Sequence, residues 1–343
     1  MNTSSRKALP VVILLGLAVL VWSQTRKPTD TTSSGSAGQA ALPGAPVLHL
    51  AYFPNVTHAP GIVGVANGSF QKAVGNSVVV KPYVFNAGPE EMEALLAGQV
   101  DIGYVGPGPA TNAFAKSQGR ALVIIAGACD NGASLVAASG ARISTVKDLD
   151  GKRVAVPQVG GTQDISLRHF LSQQGLKTEE KGGTVKVLGV KNPDILTLFK
   201  KGDLDAAWVP EPWASRLVEE AHARVVVDEK DLWPAKRFST TVVVARKDYL
   251  EKHPQQVAAF LQAHAEVVSW LKTHPEDGQK LVNSELKRLT GKQLSAKVLK
   301  DAWGHVDFVS EPNRESIDAQ AKAAVDAGYL SPGASLDGLV AAK

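Results

Sequence analysis

The chain predicts an α/β protein of two similarly built lobes, each carrying a largely parallel sheet. Short apolar segments alternate with segments of helical length along most of the sequence, the pattern of parallel strands joined by crossover helices. A motif also recurs at a spacing of about one hundred residues, too long for a solenoid repeat. Gly98-Gln99-Val100-Asp101-Ile102-Gly103-Tyr104-Val105 is answered by Gly202-Asp203-Leu204-Asp205-Ala206-Ala207-Trp208-Val209, each copy followed by a Pro-rich turn and a helix. Finally, roughly 300 residues follow position 46, enough for two lobes of ordinary domain size.

The elements follow in order. Arg6 and Lys7 precede an apolar run from Val11 to Trp22, and no acid occurs before Asp30. This is the pattern of a secretory signal over residues 1–23, cleaved near Ser23 or retained as an anchor. The run is short for a spanning helix, which needs about 20 apolar residues. A lipoprotein would need a cysteine just after it, and the only cysteine is Cys129. Residues 24–46 are rich in Ser, Thr, Gly, Ala and Pro, without apolar periodicity; such a segment cannot offset its ordering entropy and is expected to be a tether.

From Val47 the pattern predicts strands over 47–52, 77–85, 100–105 and 121–126, with helices over 59–70, 88–97 and 109–117. Glu90 and Glu91 fall in the first turn of the second helix, where the helix dipole favours acids. Strands at 154–156, 185–188 and 205–209 alternate with helices at 163–174 and 193–201. Thr240-Thr241-Val242-Val243-Val244 reads as a further strand. Residues 253–330 contain the amphipathic stretch Gln256 to Leu271 and are expected to wrap the first lobe as helices.

Composition excludes several classes. Lys and Arg number 37 against 33 Asp and Glu; without residues 1–23, which hold one Arg, one Lys and no acid, the near balance is not a nucleic-acid footprint. One cysteine permits neither an internal disulfide nor a cysteine zinc cluster. No hydrolase elbow, zinc-protease helix, phosphate loop or complete dinucleotide fingerprint occurs, so no enzyme activity, cofactor or metal is expected.

Five segments carry a family resemblance. Tyr52-Phe53-Pro54-Asn55-Val56-Thr57-His58-Ala59-Pro60, Phe85-Asn86-Ala87-Gly88-Pro89-Glu90, Asp101 to Ala110, Gln163 to Arg168, and Trp208-Val209-Pro210-Glu211-Pro212-Trp213-Ala214 resemble the periplasmic substrate-binding components of sulfonate, nitrate and taurine ABC importers. The resemblance implies the type II periplasmic-binding-protein fold: two α/β lobes joined by two crossing strands, with the first lobe at 47–135 and 240–343 and the second at 136–239. The crossings would fall near Ser134 to Ser139 and at Phe238 to Ala245. It further implies an extracytoplasmic, periplasmic monomer that closes on a small organic anion, an aliphatic sulfonate above all, and delivers it to a permease and ATPase complex. Taurine, nitrate or a pyrimidine stands as the alternative ligand, and a membrane signalling protein as the alternative partner.

Four clusters would hold the ligand. Asn55, Thr57 and His58 sit at a strand-to-helix turn, where free backbone donors and polar side chains meet; Asn55 or Thr57 also suits an N-cap, and His58 could add a pH-sensitive charge. Gly106, Pro107 and Gly108 form a second turn that would contact through backbone. Gly161, Thr162 and Gln163 open a helix, where exposed N–H groups suit an oxyanion; Asp164 would cap that helix or meet an amine. Glu211 would pair with a cationic group on an amino-sulfonate or serve the helix dipole, and Trp213 would pack on the ligand's tail.

Overall fold

The computed structural model describes residues 45–342; the expected signal segment and nearly all of the expected tether lie outside them. The described residues begin with β1 (Val47–Tyr52), α1 (Ala59–Ala66), α2 (Ser69–Val74), β2 (Val79–Val84), α3 (Gly88–Leu96), β3 (Ile102–Val105), α4 (Pro107–Lys116) and β4 (Leu122–Asn131). The helix expected over 59–70 is thus two helices. Gly68, with φ of 74°, lies between them in the left-handed region, which glycine enters without steric cost.

The chain then builds β5 (Ala133–Ala137), β6 (Arg153–Val156), α5 (Thr162–Gln173), β7 (Lys186–Gly189), α6 (Asn192–Lys201), β8 (Ala206–Pro210), α7 (Trp213–Ala221) and β9 (Arg224–Asp228). It returns through β10 (Ser239–Arg246) and continues with α8 (Lys247–Lys252), α9 (Pro254–Thr273), α10 (Pro275–Thr290), α11 (Ala296–Gly304), β11 (Val306–Phe308) and α12 (Arg314–Ala327).

Two separate sheets result. The first has the order β11-β4-β10-β3-β1-β2 and the second β7-β6-β8-β5-β9. In the first, β1 pairs in parallel with β2 and β3, while β10 enters antiparallel between β3 and β4. In the second, β6 pairs in parallel with β7 and β8, and β5 runs antiparallel to β8 and β9. The parallel strands of each sheet end on the same side, and the helices that follow them start there.

The repeated motif has a structural meaning. Asp101 accepts a 2.8 Å hydrogen bond from the His49 N–H, and Asp205 accepts one of 2.8 Å from the Arg153 N–H. Each carboxylate therefore ties the start of one parallel strand to its neighbour. The aromatic residues three further on are fully buried: Tyr104 Oη lies 2.8 Å from His264 Nδ1, and the Trp208 indole N–H donates to Glu229 at 2.6 Å. Buried aromatics with a polar tip need such a partner. Both pairs maintain the fold, once per sheet.

The chain leaves the first sheet at Asn131 and Gly132, both at positive φ, 65° and 73°. Asn131 also holds the returning segment: its N–H donates to the Phe238 carbonyl at 2.6 Å, its Oδ1 accepts from the Phe238 N–H at 3.2 Å, and its carbonyl accepts from the Thr240 hydroxyl. The two passages between the sheets are thereby fastened to each other.

One expectation needs correction. Helices α9, α10 and α11 pack on the first sheet, sharing its core through Phe260, Val267, Leu286 and Leu299. Helix α12 does not join them: Ala323, Ala324 and Ala327 enter the core of the second sheet with Leu167, Phe170 and Trp208. Small alanines on one face let α12 lie close against α5, so the C-terminal helix bridges the halves instead of wrapping the first.

Candidate functional site

The helices that follow the parallel strands bring their N-termini together between the sheets. Residues of the short turn Val56–His58 before α1 and at the starts of α3, α4, α5 and α6 all line one cavity of about 30 Å³. Roughly 10–15 Å³ of such space holds one water, so the cavity suits a compact group of a few heavy atoms. Its polar lining includes Asn55, Thr57, His58, Asn86, Gln158, Thr162, Gln163, Asn192, Thr240 and Thr241. Position at the carboxyl ends of parallel strands is where open α/β sheets collect ligands.

The electrostatics follow from two features. First-turn backbone N–H groups have no intrahelical acceptor, and each helix N-terminus carries partial positive charge. The lining contains no Asp, Glu, Lys or Arg. Positive potential therefore comes from backbone dipoles and hydrogen-bond donors, not from an ammonium or guanidinium. His58 does not add a charge: burial pushes its imidazole down to about 3, and its Nδ1 accepts from the Phe53 N–H at 3.3 Å. That desolvation opposes the pH-sensitive charge expected of His58.

Four side chains on this cavity are more than nine-tenths buried and lack a partner among the described residues. They are the hydroxyls of Thr57, Thr162 and Thr241 and the amide oxygen of Asn192. A buried polar group left unpaired costs about 1–3 kcal/mol. Four on one cavity mark it as built for a polar occupant that accepts hydrogen bonds, since a threonine hydroxyl can donate and an amide can turn its NH₂ inward.

The predicted residues divide into three groups. Asn55, Thr57, His58, Gly106, Gly161, Thr162 and Gln163 line the cavity. Pro107 and Gly108 do not. A Cβ on Gly106 would stand 2.1 Å from Thr162 Oγ1, and one on Gly108 would stand 2.7 Å from Ile165 Cδ1. The glycines of the second turn thus let α5 of one half approach α4 of the other, and Gly108 serves packing rather than contact with a ligand.

Asp164 and Glu211 are engaged elsewhere. Asp164 is fully buried, accepts from the Gly160 N–H at 2.8 Å and from Arg168 Nε at 2.8 Å, and takes the Tyr329 hydroxyl. It closes the turn before α5 and anchors the segment after α12. Glu211 accepts from the Ser215 N–H at 3.1 Å and the Ser215 hydroxyl at 3.0 Å, and its Oε1 meets His305 Nδ1 at 2.8 Å. Neither carboxylate reaches the cavity, so an amine there would find no acid. Trp213 is buried beside the cavity, with its indole N–H on Asn55 Oδ1 at 2.9 Å and the Arg216 guanidinium over its ring at 4.6 Å.

Several lining residues were not singled out from the sequence. Asn86 and Gly88 lay within a segment that carried the resemblance, and Asn192-Pro193 is a recognisable helix start. Thr240 and Thr241 looked like strand residues only, and Gln158 lies in a loop without a motif.

Residues 42–284 match the model of the NMT1-like family. The taurine-binding periplasmic protein of Escherichia coli is 32% identical over 242 residues, covering 68% of this chain and 70% of the relative. An aliphatic sulfonates-binding protein of Bacillus subtilis, named as putative, is 26% identical over 74% of each chain. Among solved structures, the alkanesulfonate-binding protein SsuA of Xanthomonas axonopodis pv. citri, bound to MOPS, superposes with a TM-score of 0.72 at 20% identity, covering 86% of this chain and 97% of that one. The periplasmic nitrate-binding protein NrtA of Synechocystis PCC 6803 does so with a TM-score of 0.70 at 16% identity, covering 84% and 83%. The two-sheet architecture shared with these structures is the periplasmic-binding-protein fold, and the chain belongs to the NMT1-like family.

Proposed function

We propose that the protein captures a sulfonate in the inter-sheet cavity and presents it, without turnover, to an ABC importer on the outer side of the cytoplasmic membrane. The observation that carries this reading is the set of unpartnered buried hydroxyls, those of Thr57, Thr162 and Thr241, around a cavity without charged side chains. A sulfonate has three oxygens on one centre and no proton to give at neutral pH. It is matched by helix N-termini and hydroxyls converging from several directions. Phosphate monoesters, largely dianionic at neutral pH, would want a cationic side chain that this cavity does not offer. The names of the sulfonate- and taurine-binding relatives support the same class.

The two halves would act as a clamp. Thr57 and Asn55 come from the first half and Thr162, Gln163 and Asn192 from the second, so an anion seated between them satisfies both and favours the closed form. Among the described residues no helix is long and apolar enough to cross a membrane; delivery would rely on docking of the closed protein to a permease.

The test is thermal unfolding of the purified chain with ethanesulfonate. Linkage predicts stabilisation of about 2.7 kcal/mol at one hundred times Kd. No shift with ethanesulfonate, longer alkanesulfonates or aromatic sulfonates at millimolar levels would sink the reading, and a product released from any of them would reject the binding-only role.

A further inference from the structure

A second cavity, of about 230 Å³, adjoins the first. Asn55, Asn86 and Asn192 line both, so these amide side chains form a shared wall. The larger space has apolar sides, given by Leu196 of α6, Leu286 of α10 and Leu294, together with Trp213. Three cations border it, Lys200, Arg216 and Lys292, against one carboxylate, Glu220. That carboxylate is already held: Arg216 Nε donates to it at 2.6 Å and Lys200 Nζ at 3.5 Å. Lys292 is exposed at the rim.

We infer that the outer cavity takes the tail of the ligand, and that this tail is a sizeable apolar body ending in a second acidic group rather than an amine. The inference rests on the sulfonate reading of the inner cavity. The inner space admits little more than the head group, so the rest of the molecule must pass the asparagines. Beyond them it meets leucine side chains and the Trp213 ring, which reward apolar area at about 25 cal/mol per Å². Its far end then meets a surplus of positive charge. Three cations less the one carboxylate Glu220 leave a surplus of two positive charges, which would repel an ammonium there and attract a carboxylate. Arg216, stacked on Trp213, is held in place by Glu220 on its own helix and offers a fixed charge; Lys292 is the adjustable one.

Titration calorimetry with ethanesulfonate, hexanesulfonate, taurine and 4-sulfobenzoate tests this on the purified chain and two variants. The expected order is 4-sulfobenzoate tightest, then hexanesulfonate, ethanesulfonate and taurine, with about tenfold between 4-sulfobenzoate and ethanesulfonate. Thr197→Trp, which adds bulk at an exposed position bordering the outer cavity, should weaken 4-sulfobenzoate and hexanesulfonate and spare ethanesulfonate. Lys292→Ala should weaken 4-sulfobenzoate alone, by about fivefold. Ethanesulfonate or taurine binding as tightly as 4-sulfobenzoate, with neither variant changing the order, overturns the tail pocket and leaves the sulfonate site standing. Failure of all four ligands to bind overturns both.

Discussion

The Trp213 indole N–H donates a 2.9 Å hydrogen bond to Asn55 Oδ1 across the cleft. Trp213 opens α7 beside the second sheet, and Asn55 follows β1 of the first, so one bond joins two halves that share no strand pairing. Both side chains are buried, and Asn55 borders both cavities. The contact exists only when the halves are together, which makes it a contribution to closure rather than to the stability of either half.

Trp213→Phe keeps most of the ring and removes the donor. The Asn55 oxygen is then buried without its partner, at a cost of about 1–3 kcal/mol to the closed form. Ligand affinity should fall about tenfold with the circular-dichroism spectrum unchanged, and small-angle scattering at subsaturating ligand should show a larger radius of gyration than wild type. Unaltered affinity would mean that the bond survives opening or carries no weight.

Gly106 has φ of −68°, a value any residue adopts, so a substitution there acts through space alone. The Cβ of Gly106→Ala would stand 2.1 Å from Thr162 Oγ1, well inside contact distance. The alanine variant should fold with a near-normal Tm yet bind sulfonate weakly, because Thr162 cannot approach. A truncating second change, Thr162→Gly, should recover part of the closure but not the lost hydroxyl.

His305 and Glu211 form a second link between the halves, at 2.8 Å. The hydrogen bond to Glu211 raises the imidazole above its ordinary 6.5 against the opposing effect of burial, with Asp228 adding attraction and Lys230 opposing it. A histidine raised in this way contributes fully below its ordinary pKa, and the contribution is lost as pH rises through the raised value. Ligand affinity should therefore decline as pH is taken upward through the range just above 6.5. His305→Gln should flatten that dependence, and an unchanged slope in the variant would remove His305 as its source.

Glu91 is fully buried with neither carboxylate oxygen bonded, one of them where a Cβ on Gly103 would lie, at 2.0 Å. Burial raises its pKa well above the ordinary 4.5. A carboxyl raised in the folded state costs stability as pH rises above its ordinary value, since the folded protein must hold a proton that the unfolded chain releases. Glu91→Gln removes that cost. The variant should be more stable than wild type at pH 8, by about 1–3 kcal/mol, and the gap should shrink toward pH 4.5. A gap independent of pH would show that Glu91 ionises in place.

Much of this architecture is written in the chain at the level of local pattern. The alternation of apolar and amphipathic segments determined an α/β build, because a strand buried on both faces and a helix buried on one need different apolar spacings. The echo of Asp101 and Tyr104 in Asp205 and Trp208 announced two like halves, since the same local problem, tying one parallel strand to the next, has the same local answer. Strand-to-helix turns at Asn55, Gly106 and Gly161 announced where donors would gather, because helix N-termini leave N–H groups free wherever they occur.

Which acids and which helices served the site was decided only by tertiary structure. Glu211 and Asp164 each stand in or beside the first turn of a helix near the cavity, yet His305 and Ser215 claim one and Arg168 and Tyr329 the other. Some of these partners are distant in sequence, and no local pattern encodes them. Likewise Glu90 and Glu91 looked equivalent on α3, but packing turned one to solvent and buried the other. The pattern of helix α12 suits one more cover for the first sheet, yet Ala323 and Ala327 pack against the second. Patterning depends on neighbours along the chain; partner choice depends on which surfaces meet when the halves come together, and that is settled by the fold as a whole.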